Sequence, residues 1–340
     1  MSTMRAFVIT APGTAEVCVV ERPVARPGEV VVDVERAGLC GTDREFFTGE
    51  MSYFHTGEAV LPMRIGHEWC GRVASVGEGV DPTWMGRRVM GDTMLGCRSC
   101  RRCLDGRQHL CADRFEIGIR NGWPGALAEQ VRVPATALLA LPDTMDPSVG
   151  AMVEPGGNAL RAVWGAEAGP GRRVLVMGAG AIGLLGSLQA RAAGAEVHNL
   201  VRSDRSRTLA ESLGLERVWT RETLPQGRFD AVIDATDSPE MPALALDLVE
   251  PGRRIVFIGL AGEASLVDSR RFALMNVTAV GVLSGSGGFA GAAEQYATGA
   301  VDPRPLVAAT VGLDEVAGVL AGHRDPGWGA RPKVLVDPRR

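Results

Sequence analysis

Over residues 4–36, short apolar β-rich runs alternate with Pro-Gly turns. The runs 5–10, 17–21 and 29–37 read as strands separated by turn residues. Further short strands are expected at 71–76, 87–91 and 128–133. The pattern changes near residue 150. A helical stretch with small residues covers 149–166, and a compact β run follows at 173–177. It enters a glycine-rich turn and a helix running to residue 193. Strands at 196–201, 231–234, 254–259 and 278–283 then alternate with helices at 205–213 and 239–248. Alternation of this kind makes a parallel doubly wound sheet. The tail from about residue 289 carries a helix and ends in a strand at 332–336, placed to return to the first domain. The expected fold is therefore α/β: a β-rich domain over 1–150 and 290–340, and a doubly wound domain over 151–289.

Composition narrows the function classes. The 340 residues exceed what one core usually organises, and 46% hydrophobic content is that of a globular chain. A formal charge of -4 gives no reason to expect nucleic acid or an anionic membrane as partner. Lys333 is the one lysine among 36 Lys and Arg residues, which reads as codon bias. The longest apolar run, 174–188, is interrupted by four glycines and is too short to span a bilayer. The N-terminus lacks the features of an export signal, so a cytoplasmic location is expected. Cysteines stay reduced there, and clustered ones bind metal more readily than they form disulfides.

Four of the seven cysteines lie in one loop: Cys97, Cys100, Cys103 and Cys111, spaced C-x2-C-x2-C-x7-C. Four thiolates can close a tetrahedron around zinc at about 2.3 Å each and leave no open position, which makes a structural staple. Arg98, Arg101, Arg102 and Arg107 would favour the thiolates. An iron–sulfur cluster also uses four cysteines, at other spacings. A second set is dispersed: Cys40, His67, Glu68 and Glu154. Mixed Cys, His and carboxylate donors suit a catalytic zinc, which keeps one position open. Spacing alone cannot bring these together. Gly178-Ala179-Gly180-Ala181-Ile182-Gly183 follows a strand and opens a helix, the context of a dinucleotide-binding turn. Gly178 would make the tight turn, Gly180 would admit the pyrophosphate, and Gly183 would let helix pack on strand.

The run Gly66-His67-Glu68-Trp69-Cys70-Gly71, with Gly77 and Val80, resembles the signature of zinc-containing alcohol dehydrogenases. The cysteine loop and the glycine turn come in the same order, so the resemblance spans essentially the whole chain. It is to the zinc-dependent branch of the medium-chain dehydrogenase/reductase superfamily. This resemblance implies a GroES-like catalytic domain, to which the tail returns, around a Rossmann domain. It implies two zinc ions per chain, Cys40, His67 and Glu154 as catalytic ligands, and Glu68 ligating directly or through water. It also implies a homodimer or homotetramer acting on a small alcohol or sugar.

Glu154, where ethanol-type relatives have Cys, resembles the sorbitol, threonine and polyol branch. Cys40-Gly41-Thr42-Asp43-Arg44-Glu45 resembles the microbial glucose dehydrogenases, and Glu116 and Asn158 then become candidate partners for substrate hydroxyls. Thr93 stands where that group has Asn, which speaks against glucose itself. By the same resemblance Thr42 accepts the alcohol's hydrogen bond, and Glu45 replaces a relay His. Leu260 and Ser284 border the nicotinamide. Arg202, with Ser203 and Arg207 in reach, takes the place of the acid that binds a ribose 2′-hydroxyl, which favours NADP over NAD. The competing reading makes Asp204 that acid. Reduction or oxidation of simple alcohols and aldehydes is the alternative activity, and a non-catalytic NAD(P)-binding relative the alternative class. Cys18 and Cys70 match no ligand position.

Overall fold

A computed structural model describes residues 2–340. They divide into two units, one ending at Glu154 and completed by Leu306–Arg340, the other Pro155–Pro305. The expected breaks at 150 and 290 thus fall at 154 and 305. The helical stretch expected as one piece is two, Pro147–Ala151 and Val153–Gly165. Pro155 explains the break: it has no N–H to bond back to residue 151, and it is tolerated only in a first turn.

The first unit is a β structure. Its main sheet runs in the order Val307–Val311, Lys333–Val336, Glu29–Leu39, Glu68–Val76, Arg88–Gly91 and Leu138–Ala140, and Gln130–Pro134 also pairs with Glu29–Leu39. Val30, Val32 and Val34 alternate into a core shared with Phe7, Ile9, Phe46, Ile65 and Trp69. The C-terminal strand is antiparallel to Glu29–Leu39, with Val334 opposite Leu39 and Leu335 opposite Gly38. The tail's apolar Val-Leu-Val run is buried there on the far side of the sequence from its partner.

The second unit is a six-stranded parallel sheet. Its order is Val218–Trp219, Glu196–Leu200, Arg173–Met177, Phe229–Asp234, Val249–Phe257 and Thr278–Gly281. Alternation buries both faces. Val174 and Val176 face a cluster with Ala162 and Val163, while Leu175 and Met177 face one with Leu246 and Phe229. A parallel sheet covered on both sides requires such near-continuous apolar strands. The helix Phe289–Ala297, expected to belong with the tail, lies in this unit. A Cβ on Gly156 would fall 2.1 Å from Tyr296 Oη, and one on Gly157 2.4 Å from the Phe289 ring, so glycines there let the two helices pack. No helix among the described residues is long and apolar enough to cross a membrane.

Candidate functional site

Cys40 closes the strand Glu29–Leu39 and is the N-cap of the helix Gly41–Thr48. His67 and Glu68 enter the neighbouring strand, where Gly38 is paired with Glu68. The antiparallel register therefore carries Cys40 to His67 and Glu68. Cys40, His67 and Glu68 offer ligand atoms that all lie within 4.8 Å of one another. Gly38 makes room for this, because a Cβ there would sit 2.1 Å from Glu68 Oε2. Glu154 is buried as well, and its charge acts on both His67 and Lys333, although its carboxylate is not in that tight group.

The donor set fits a zinc ion. A sulfur and an imidazole nitrogen at zinc distances around a tetrahedral centre lie about 3.5 Å apart, and Cys40 Sγ and His67 Nε2 are 3.2 Å apart. Behind the ring, His67 Nδ1 and Asp43 Oδ1 are both buried without a hydrogen-bond partner, 3.7 Å from each other. A metal-bound imidazole characteristically turns its second N–H to such a carboxylate. Asp43 Oδ2 accepts the Cys40 N–H at 2.9 Å, which also fixes the thiol's backbone.

Buried anionic groups outnumber cations here. Burial raises the Cys40 thiol, with Asp43 and Glu68 adding to it against His67. Burial likewise raises Asp43. Burial pulls His67 toward neutrality, but Cys40 and Asp43 outweigh it and hold the imidazole well above its ordinary value. A bound cation would relieve this crowding.

Asp43 and Lys333 went unassigned in the sequence. Asp43 had a local signal, an acid three residues after the N-cap. Lys333 had only its rarity, which did not point to the place it takes in the structure. It is 2% exposed, and its ammonium donates to Glu68 Oε1 at 2.7 Å, Glu68 Oε2 at 2.6 Å and the Leu39 carbonyl at 3.0 Å.

Thr42 and Glu45 lie three apart on the helix that starts beside Cys40, Thr42 half-buried and Glu45 exposed. Partial burial, then the neighbouring Glu50, raises the Glu45 carboxyl. Glu116 is buried in the first unit, where its Oε1 accepts from Arg114 at 2.7 Å and from the Tyr53 hydroxyl at 3.5 Å. Thr93 is buried, and its hydroxyl donates to the His67 carbonyl at 3.4 Å. Asn158 belongs to the helix Val153–Gly165, half-buried.

The cysteine loop forms the second candidate centre among the described residues. Two sulfurs bound to one tetrahedral zinc lie about 3.8 Å apart. Here Cys100 Sγ and Cys111 Sγ are 3.9 Å apart, and Cys97 Sγ and Cys103 Sγ 4.0 Å. Of the neighbouring arginines, Arg101 and Arg107 pair with Asp105 and Arg102 donates to the Leu110 carbonyl, while the backbone of Arg98 hydrogen-bonds the Cys103 sulfur. Hydrogen bonds from the Ser99 hydroxyl, then from the Ser99 and Cys100 N–H groups, hold the Cys97 thiol down at about 6. Burial first, then its fellow thiols, pushes Cys103 up to about 12.

In the second unit the glycine turn joins Arg173–Met177 to the helix Ala181–Ala192. Gly178 has φ +106, in the left-handed region. A Cβ on Gly183 would lie 2.2 Å from the Gly178 carbonyl, while Gly180 faces open space and Ala181 and Ile182 begin the helix. Arg202 is exposed two residues past the strand Glu196–Leu200. Ser203 caps the helix Asp204–Ser212, its hydroxyl accepting the Ser206 N–H at 3.3 Å. Arg207 lies 3.8 Å from Asp204, whose side chain is 91% exposed. Leu260 follows the strand Val249–Phe257 and is exposed, and Ser284, at φ +68, follows Thr278–Gly281.

Residues 26–143 match the alcohol dehydrogenase GroES-like domain, and residues 181–299 the zinc-binding dehydrogenase family. An L-threonine 3-dehydrogenase of Saccharopolyspora erythraea is 32% identical over 294 residues, which cover 82% of this chain and 83% of the relative. A zinc-binding dehydrogenase of Sinorhizobium meliloti 1021, solved with NADP, matches at TM-score 0.90 and 30% identity, over 99% of this chain and 100% of that one. An alcohol dehydrogenase of E. coli CFT073, solved with NADH, matches at TM-score 0.90 and 25% identity, over 99% and 100%. By these matches and by its own donor sets, the chain belongs to the zinc-dependent medium-chain dehydrogenase/reductase family.

Proposed function

We propose that the chain moves a hydride between a secondary alcohol of a polyol, sugar or cyclitol and a nicotinamide dinucleotide, with NADP favoured over NAD. The observation that carries the reading is the Cys40–His67–Glu68 cluster, its histidine and glutamate buried, with Asp43 behind the imidazole and Glu154 beside it, in a dehydrogenase chain. Cys40, His67 and Glu154 are the protein ligands in this reading, with Glu68 near. Zinc held there supplies the Lewis acidity that lowers an alcohol's pKa. The Thr42 hydroxyl accepts a hydrogen bond from the substrate hydroxyl and relays its proton, taking that one up as it gives its own to the Glu45 carboxylate, whose raised pKa suits passing it toward solvent. A nicotinamide dinucleotide held by the glycine turn of the second unit would supply the hydride acceptor for this oxidation of alcohol to ketone. Glu116 and Asn158 contact substrate hydroxyls.

The glycines at 178, 180 and 183, with Ala181 and Ile182, seat the pyrophosphate at a helix N-terminus. Arg202, Ser203 and Arg207 face the ribose 2′ position, and Leu260 and Ser284 border the nicotinamide. Cys97, Cys100, Cys103 and Cys111 hold a second, structural zinc. Both thiolate sets call for a reducing compartment, the cytoplasm. Thr278–Gly281 is an edge strand with three of its four residues exposed, and Leu260, Leu266, Leu274 and Leu283 are exposed in the same unit. Such an edge invites pairing with a second copy, so the enzyme is a homodimer, or a tetramer built from one.

A second reading has support of its own: the curated relative acts, by its name, on L-threonine, a hydroxy amino acid. One screen separates the two. Cofactor reduction is followed with NADP and NAD across polyols, aldoses, cyclitols, L-threonine and simple primary alcohols. Polyol or cyclitol turnover that vanishes in Cys40→Ser supports the proposal. Turnover of L-threonine alone, or of primary alcohols alone, rejects the polyol class, and unchanged turnover in Cys40→Ser rejects the site.

A further inference from the structure

One cation in the second unit grips the backbone of a turn. Arg161, half-buried on the helix Val153–Gly165, directs a single nitrogen at two successive carbonyls: Nη1 donates to the Leu283 oxygen and the Ser284 oxygen, each at 2.6 Å. In an extended strand, successive carbonyls point to opposite sides. They reach one guanidinium here because Ser284 leaves the strand in the left-handed region, at φ +68, which a serine adopts reluctantly.

The turn that follows is pressed onto the same helix. A Cβ on Gly285 would lie 2.9 Å from the Asn158 nitrogen, and one on Gly288 3.0 Å from Arg161 Cγ. Within the turn, Gly288 N–H donates to the Gly285 carbonyl at 2.7 Å, and Ser286 N–H to Ser284 Oγ at 3.1 Å. With both carbonyls fixed on Arg161, the N–H groups of the same two peptides, those of Ser284 and Gly285, face away from it. Neither donates to a backbone carbonyl among the described residues. Paired N–H groups around a left-handed residue form a concave donor site, and a cation on their carbonyls strengthens them as donors.

The place of this turn in the sheet matters. Ligands of open parallel sheets bind beyond the C-terminal ends of the strands. Gly178–Gly183 and Ser284 both follow such ends. Arg202 follows the strand on one side of Arg173–Met177, and Ser284 follows a strand on the other side. A dinucleotide with its pyrophosphate on the glycine turn and its 2′ end at Arg202 thus extends its nicotinamide end toward Ser284.

We propose that Arg161 is a positioning residue for the cofactor: it holds the Leu283–Gly288 turn in the shape that receives the nicotinamide end, without touching the cofactor itself. The inference rests on the dinucleotide reading above. A comparison of whole cofactor with fragment tests it. Dissociation constants are measured for NADPH and for 2′-phospho-ADP-ribose, the same molecule without nicotinamide, using NADH and ADP-ribose if those are what the wild type takes. The variants are Arg161→Met and Arg161→Lys. Arg161→Met should weaken NADPH about tenfold, as expected for losing a charge-assisted hydrogen-bonded constraint, while the fragment binds as before. Arg161→Lys, which keeps a cation, should fall between. Equal weakening of both ligands, or of neither, overturns the proposal. If Arg161→Met does not fold, the same split in Arg161→Lys decides. If the wild type binds neither compound, the dinucleotide reading itself fails and the proposal goes with it.

Discussion

Lys333 places its ammonium against both oxygens of Glu68, 2.7 and 2.6 Å away, at a point where both side chains are buried. The two residues are 265 positions apart, and the returning strand alone joins them. Breaking a buried pair by removing one partner leaves an uncompensated charge and costs about 3–5 kcal/mol. Lys333→Met should lower the urea midpoint accordingly, and adding Glu68→Gln should restore part of it, because the stranded carboxylate is gone. A neutral Lys333→Met would show that the pair carries no such charge. As the chain's one lysine, Lys333 also offers a direct check of burial. An amine reagent should spare it in the native protein and label it in urea.

The cysteine loop should hold metal independently of the first centre. The wild type is expected to carry about two zinc ions per chain, and Cys103→Ser about one, with a thermal midpoint several degrees lower. Cys40→Ser should also bring zinc to about one per chain, without that thermal loss. Unchanged metal content in Cys103→Ser would reject the loop as a zinc site.

These two centres differ in how far they were legible. The four cysteines sit within fifteen positions, so local spacing suffices. Cys40 and His67 were identifiable only through a family signature, because a β-sheet register brings them together and no spacing encodes it. Asp43 carried a local capping pattern that went unread as a partner for His67. Lys333 could not be read at all without knowing that the strand from 333 pairs with Glu29–Leu39. The doubly wound half was plainer, since strands covered on both faces are apolar throughout. The helix Phe289–Ala297 was misplaced for want of a packing partner: its rings fit against Gly156 and Gly157, and glycines have no periodic signature.

Arg202 bears on cofactor choice. It is exposed just past Glu196–Leu200, while Asp204 turns its carboxylate to solvent. Arg202→Ala should lower the NADP over NAD ratio of kcat/KM by about tenfold or more, the range for one charge-assisted contact to a phosphate. A ratio that stays fixed, or a wild type that prefers NAD, would shift the assignment to the competing acid, Asp204.

The edge strand Thr278–Gly281 should carry the dimer. Ala279 is exposed on it, and Ala279→Lys places a charge on a pairing edge, a device that natural edges use against association. Sedimentation should show a dimer or tetramer for the wild type and a smaller species for the variant. A monomeric wild type would remove the interface from the proposal.

Acid stability should depend on His198. Its Nδ1 accepts the Trp219 indole N–H at 3.0 Å, and its Nε2 lies 2.8 Å from Glu196 Oε1. That arrangement suits the neutral ring with its proton on Nε2, because a protonated Nδ1 could no longer accept from Trp219. Burial lowers the His198 pKa from its ordinary 6.5, Glu196 opposes this, and Arg173 and Arg217 add to it. With the folded value below the unfolded one, the unfolded chain takes up the proton first as pH falls. The contribution of His198 is therefore complete above about pH 6.5 and is lost on acidification below it. Metal ligands also titrate in acid, so the wild-type curve alone is ambiguous. The difference between wild type and His198→Phe removes them, since both retain the same ligands. The gap in urea midpoint, wild type over variant, should narrow from pH 7.5 to pH 5.5. A constant gap over that range would assign the acid loss to other groups.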